Sequence, residues 1–127
     1  MTQLKSEFYQ PLSSDSVPRY AGIATFMRLP HVVLEQATDL DIGIVGIPWD
    51  GGTTNRAGAR HGPRQVREMS ALMRRYHPAL DISPYAIANC ADLGDAPVNP
   101  LEIIATLDGL TDHYRQILTR GITPLSV

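Results

Sequence analysis

Asp41-Ile42-Gly43-Ile44-Val45-Gly46-Ile47-Pro48 is a short, almost unbroken apolar run closed by a proline. After it, Trp49-Asp50-Gly51-Gly52-Thr53-Thr54-Asn55-Arg56-Ala57-Gly58-Ala59-Arg60-His61-Gly62 forms a polar loop with four glycines. The run shows no polar alternation, as expected of a strand covered on both faces of a parallel sheet. Gly62-Pro63 then opens a helix, because proline suits the first helical position, where its missing N–H costs nothing. Val66, Met69, Leu72, Met73 and Tyr76 fall within an arc of roughly 120° on that helix, with Arg64, Arg67, Glu68, Arg74 and Arg75 opposite. This spacing predicts that the apolar face packs on the sheet and the arginine face meets water. A long loop at the carboxyl end of a parallel strand is where open α/β sheets place their sites.

Working outward, residues 1–40 read as an N-terminal arm and lead-in segment. The first part, to about residue 18, is polar and carries Pro11, Pro18 and several serines, so an extended or loosely held tail is expected. Arg19 to Pro30 is more apolar, with Tyr20 and Phe26 as its large anchors, and reads as an edge segment or a short helical turn. Downstream, Tyr85 to Ala91 is expected to be a second strand with Asp92-Leu93-Gly94-Asp95 at its carboxyl end. Asn99-Pro100-Leu101-Glu102 has the form of a helix start, with a side-chain cap, a first-position proline and a glutamate able to reach back. Ile103, Ile104, Leu107, Leu110, Tyr114, Ile117 and Leu118 share one face of that helix, and Gly121 stops it. Ile122 to Val127 begins a third strand. The order β-loop-α-β-α-β predicts an α/β fold with a parallel sheet and an exposed edge at the third strand.

With 127 residues, 43% of them hydrophobic and 19% charged, the chain has the balance of one soluble globular domain. A net charge of −2 supplies no field that would recruit nucleic acid or an anionic membrane. Cys90 is the single cysteine, which precludes an internal disulfide and fits a reducing compartment. Without an apolar stretch long enough to span a bilayer or a secretory leader pattern, the cytoplasm is the expected location.

The loop after the first strand lacks the Gly-Lys-Ser/Thr ending of a P-loop and the Gly-x-Gly-x-x-Gly of a dinucleotide fold. Two readings of it stand side by side. In one, Trp49, Asp50, Asn55, Arg56 and His61 shape the rim of a substrate pocket; in the other, the glycines and Asp50 only shape an irregular loop. His31, His61, His77 and His113 are scattered and form no metal-ligand pattern. Asp92 and Asp95 flank Gly94, and short acids beside glycine usually hold a turn by accepting backbone N–H bonds, although a metal or a substrate amine is the other use. Cys90, among Ala88, Asn89 and Ala91, reads as a packed thiol.

Ile44 to Arg67, with its Gly-Ile-Pro-Trp-Asp-Gly-Gly-Thr-Thr and Ala-Gly-Ala-Arg-His-Gly-Pro-Arg-Gln-Val-Arg runs, closely resembles the start of the ureohydrolase family, the arginase, agmatinase and guanidinobutyrase group. Arg19 to Pro30 looks like the agmatinase and guanidinobutyrase branch, and Asp92-Leu93-Gly94-Asp95 matches the family's Asp-x-Gly-Asp. The resemblance implies the N-terminal part of a parallel-sheet α/β/α (arginase-like) sandwich, with residues 41–127 an incomplete domain that stops before the metal-binding motifs. It also implies a manganese-dependent hydrolysis of a guanidino compound, agmatine or guanidinobutyrate, to urea and an amine. In the family, two manganese ions bridge a hydroxide, and their ligands lie in Gly-Gly-Asp-His, Asp-Ala-His-x-Asp and Asp-x-Asp-x-x-Asp motifs, none of which this chain carries. No catalytic residue or metal ligand is therefore assigned here, and a piece of this extent is expected to be inactive alone. Full-length relatives of this kind assemble as trimers or hexamers. The alternative is a non-catalytic interaction or regulatory module that docks on full-length ureohydrolase subunits.

Overall fold

The computed structural model describes residues 7–127. Three strands, β1 (Ile42–Gly46), β2 (Cys90–Asp95) and β3 (Thr123–Ser126), form one parallel sheet in the order β2-β1-β3. Ile42 lies opposite Cys90 on one side and Thr123 on the other, and Ile44 opposite Asp92 and Leu125. Two helices accompany the sheet, α1 (Gly62–Ser70) and α2 (Ile103–Thr119).

The central position of β1 explains its apolar run, because successive side chains point to opposite faces and both faces are covered. Val45 belongs to a core with Leu34, Ala91, Leu93, Ile117 and Ile122 on the α2 side. Ile44 belongs to a second core with Phe26, Leu29 and Cys90. Gly43 is required by packing: a Cβ there would lie 2.3 Å from Leu93 Cδ1, inside the first core. The lead-in segment supplies apolar residues to both cores, through Leu34, Ala37 and Leu40 and through Phe26 and Leu29. It also closes the outer edge of β2, where the Asp92 N–H donates to Pro30 O (3.0 Å) and the Val32 N–H donates to Asp92 O (2.9 Å).

Several expectations shift. The second strand begins at Cys90 rather than Tyr85, and Pro84–Ala86 form a 3-10 turn, since proline cannot donate to a ladder and presets a turn instead. Helix α1 ends at Ser70, so the stretch carrying Leu72, Met73 and Tyr76 is irregular and exposed. The buried stripe of α1 is Pro63, Arg67 and Ser70, whereas Val66 and Met69 face outward. Arg67 is thus inside, with its charge neutralised by carboxylates, and not on a water face. Asn99 does not cap α2. Its side chain accepts the Leu101 N–H (2.9 Å) in a turn, and the helix starts three residues later than Pro100, after Glu102, while Thr106 Oγ1 accepts the Asn99 N–H (2.8 Å). Of the α2 apolar face, Ile117 is buried while Ile104, Leu107 and Leu118 are exposed. Tyr20, read as an anchor, is 93% exposed.

The arm from residue 7 is tied down: the Tyr9 N–H donates to Asn89 Oδ1 (2.8 Å) and the Leu12 N–H to Arg28 O (2.9 Å). Its first six residues lie outside those described. Among the described residues no helix is long and apolar enough to cross a membrane.

Since Ile117 is fully buried and Leu107 half exposed, Ile117→Ala is expected to lower the free energy of unfolding by about 2–4 kcal/mol and Leu107→Ala by less than about 1 kcal/mol in urea titrations followed by circular dichroism.

Candidate functional site

Two groups of polar residues gather at the carboxyl ends of β1 and β2. The first is the β1–α1 loop. Asp50 is buried and acts as its internal hub: Oδ2 accepts the Gly58 N–H (2.6 Å) and the Arg60 N–H (3.2 Å), while Oδ1 accepts Arg60 Nε (2.7 Å) and lies 2.6 Å from the Arg60 Nη2. The Arg60 side chain and these backbone donors hold the Asp50 carboxyl well below the usual carboxylate range. Gly58 sits at φ 143°, a conformation a side chain disfavours, which lets its N–H turn toward Asp50. Trp49 folds over Gly51, where a Cβ would lie 2.3 Å from its ring. The loop is therefore a structured hairpin around a buried charge.

The five residues assigned to the rim are divided by this geometry. Trp49 and Asp50 are built into the loop, whereas Asn55, Arg56 and His61 stand on its exposed surface. Among the described residues no hydrogen bond or ion pair engages the side chains of those three. Neither cavity discussed below is lined by any of the five.

The second group centres on Asp92, 1% exposed in the strand. Its Oδ1 accepts the Gly94 N–H (2.8 Å) and Arg67 Nη2 (3.2 Å), and its Oδ2 accepts the Phe26 N–H (3.0 Å) and Arg67 Nε (2.9 Å). The Arg67 Nη1 reaches Asp95 Oδ1 (2.7 Å), and its guanidinium carbon lies 4.1 Å from the centre of the Phe26 ring. Gly46 makes room for this cluster: a Cβ there would meet Asp95 Oδ1 at 2.1 Å and Pro63 Cβ at 2.9 Å. The turn-holding use of Asp92 read from the sequence is present in the Gly94 bond, alongside three bonds from Phe26 and Arg67 that the sequence did not indicate. The readable signal was the i, i+4, i+7 stripe of Pro63, Arg67 and Ser70, polar and small instead of apolar.

Beside this cluster a cavity of about 890 Å³ opens between the lead-in segment and α1, walled by Ala24, Thr25, His31, Arg64 and Asp95 among others. Met27 and Arg28, at φ 54° and 58°, bend the segment around it. The Met27 N–H donates to Ser70 Oγ (2.8 Å) and an Arg28 Nη2 to Val17 O (2.7 Å), which holds the strained pair in place. A smaller cavity lies by Ser13, Asp15 and Arg74. As for a metal, no group of three or more His, Cys, Asp or Glu side chains is placed to hold one among the described residues. The pairing of Arg67 with both Asp92 and Asp95 means that these carboxylates already share a cation, so the donor set does not fit a metal. The Cys90 thiol is buried, and burial followed by the nearby Asp41 charge pushes its pKa up, away from nucleophilic use.

The structured loop and the charged cluster both lie at the carboxyl edge of a parallel α/β sheet, the edge at which open α/β sheets place their ligands. The Arginase family profile matches residues 40–127, and the chain belongs to the arginase family. It is 51% identical over 124 residues to a guanidinopropionase of Pseudomonas aeruginosa, covering 98% of this chain and 38% of that protein. It is 39% identical over 125 residues to a guanidinobutyrase of the same organism, covering 98% and 39%. Among solved structures, proclavaminate amidino hydrolase from Streptomyces clavuligerus superposes with a TM-score of 0.79 at 35% identity over 86% of this chain and 36% of that one. A hypothetical agmatinase from Burkholderia thailandensis gives 0.76 at 28% identity, over 85% and 34%. The chain thus spans about two fifths of the length of the curated relatives it matches.

Loss of the Asp50 hub should loosen the loop without unfolding the sheet. In Asp50→Asn, amide exchange at Gly58 and Arg60 is expected to accelerate while β1 and β2 stay protected. In the wild-type chain the same two amides are expected to lose protection as pH falls below about 4, because a carboxyl with a depressed folded pKa stabilises above its unfolded value and ceases to do so as it is protonated.

Proposed function

We propose that this chain contributes the first strands and a pocket-rim loop to a ureohydrolase that cleaves a guanidino acid to urea and an amine. The observation that carries the reading is the 51% identity, over nearly the whole chain, to a guanidinopropionase. A chicken mitochondrial agmatinase is 37% identical over 122 residues, which favours an acid over agmatine within the group.

The loop geometry supports the same choice. Asp50, the one carboxylate among the rim residues, is closed by Arg60, so it offers little to a cationic tail. Arg56 is exposed and has no internal partner among the described residues, and a free guanidinium suits a carboxylate tail. In this proposal Arg56 takes the acid, Asn55 and His61 flank it, and the Asp50–Arg60 pair holds the loop in position. The manganese centre implied by the resemblance is held by motifs that this chain does not carry; when bound it supplies a hydroxide nucleophile at neutral pH. A cytoplasmic, trimeric or hexameric enzyme belongs to the same reading.

The test is urea release with added Mn²⁺ from guanidinopropionate, guanidinobutyrate and agmatine, using this chain alone and joined in one polypeptide to the remaining part of the Pseudomonas guanidinopropionase. No urea is expected from the chain alone, and the joined protein should prefer a guanidino acid. In it, Arg56→Ala should raise KM for the acid about tenfold and leave agmatine unaffected. Urea release by the chain alone, or a folded, metal-loaded joined protein inactive on all three compounds, is the contrary result.

A further inference from the structure

The arm, the lead-in segment and the stretch after α1 meet in the smaller cavity, of about 180 Å³, on which four arginines converge: Arg19, Arg28, Arg74 and Arg75. Among the described residues Asp15 is the acid in its wall, so four positive charges face one negative charge. None of the four guanidinium groups is ion-paired among the described residues. The Asp15 carboxylate is engaged within its own turn, where Oδ2 accepts the Ser13 hydroxyl (3.3 Å). Like charges gathered in one concave place raise the local potential, and an anion seated among them offsets their repulsion.

The walls are built by bonds within this chain. The Leu12 N–H donates to Arg28 O (2.9 Å), and the Ser83 hydroxyl donates to Arg75 O (2.9 Å). Arg19 Nη1 donates to Ala71 O (3.1 Å) and Met73 O (3.4 Å), which ties the lead-in segment to the end of α1. Arg28, in the strained bend at φ 58°, is fixed by its Nη2 bond to Val17 O (2.7 Å). A guanidinium carries five N–H donors. One nitrogen each of Arg19 and Arg28 is used in these bonds, and the side chains of Arg74 and Arg75 make none among the described residues, so most of the donors are unspent. A crossover helix runs back along the sheet, so the residues after Ser70 lie toward its amino edge, as does Tyr85 just ahead of β2. The cavity is therefore at the opposite edge from the β1–α1 loop.

We infer that this arginine-lined cavity is a binding site for a phosphate oxyanion, carried either by inorganic phosphate or by the terminus of a small phosphomonoester. Size and charge select that class. A volume of about 180 Å³ is below the roughly 300 Å³ at which pockets for drug-sized ligands begin, so it encloses a single group and not a whole larger ligand. A phosphate dianion offers more acceptor oxygens to fork-shaped donors than a carboxylate does, and it balances more of the surplus charge. Bound there, it joins three separate segments through one ion. The inference is independent of the substrate proposed above.

The test is calorimetric titration of inorganic phosphate, phenyl phosphate and acetate, at constant ionic strength, into this chain and into the joined polypeptide described above. One phosphate per chain is expected, with acetate weaker by about tenfold or more and with slower amide exchange in the arm and at Arg74 and Arg75 when phosphate is bound. Arg74→Gln with Arg75→Gln removes two exposed guanidinium groups that hold nothing within the described fold, and should weaken phosphate binding about tenfold or more. Arg120→Gln, exposed on α2, should leave it unchanged, and circular dichroism checks that each variant is folded. Tighter binding of phenyl phosphate assigns the site to an ester and tighter binding of the free ion to inorganic phosphate; both sustain the inference. No saturable phosphate binding to the folded joined polypeptide, acetate binding as tight as phosphate, or equal losses in the Arg120 variant and the double variant overturns it. So does a double variant that loses self-association while phosphate binding is absent throughout, because the arginines then serve an interface between copies. Where the joined polypeptide does not fold, the same readings on this chain alone decide.

Discussion

Asp92 is the constraint on which the rest of the structure depends. A carboxylate buried in the middle of a strand is costly unless its oxygens are fully engaged. Here four donors from three separate parts of the chain engage them: the Phe26 N–H of the lead-in segment, the Gly94 N–H of its own turn, and two nitrogens of Arg67 on α1. The charge is tolerable only when lead-in segment, sheet and helix are assembled together. Arg67 in turn is tolerable inside only because Asp92 and Asp95 neutralise it and Phe26 lies against its face.

This arrangement gives the chain a fixed end and an open end. At β2 the lead-in segment is bonded to the strand at Asp92, and the strained Met27–Arg28 bend is held by Ser70 and Val17. At β3 the inner edge is paired with β1, and no further strand lies beside it among the described residues. Between them, β1 carries the loop whose shape Asp50 sets from within.

The fold was legible to the extent that it followed from apolar pattern and punctuation. The unbroken Ile42–Gly46 run announced a central strand, Pro63 the start of α1, and Gly121 the end of α2. What failed were the inferences from the apolar helix faces: Val66 and Met69 on α1 and Ile104, Leu107 and Leu118 on α2 are exposed, although Ile117 is buried as expected. Helix α1 buries Pro63, Arg67 and Ser70 because the surface it meets is a pair of carboxylates and a strained backbone bend, which a helical wheel cannot register. Tyr85 to Ala88 looked like strand because periodicity is blind to the turn set by Pro84. The loop was recognisable as a site candidate from its length and glycines. That Asp50 faces inward became visible only with Arg60 and Gly58 in place, since an acid ten residues from its arginine carries no local spacing signal.

The most direct measurement is a double-mutant cycle between Arg67 and Asp92, using Arg67→Met, Asp92→Asn and the pair, with unfolding free energies from urea titration and exchange of the Phe26 amide as a local reporter. Each single change strands a buried partner, so the two should be strongly non-additive, with a coupling of about 2 kcal/mol or more and loss of Phe26 protection in both singles. Additive effects, with the Phe26 amide still protected in Asp92→Asn, would contradict the claim that this carboxylate binds the lead-in segment and α1 to the sheet.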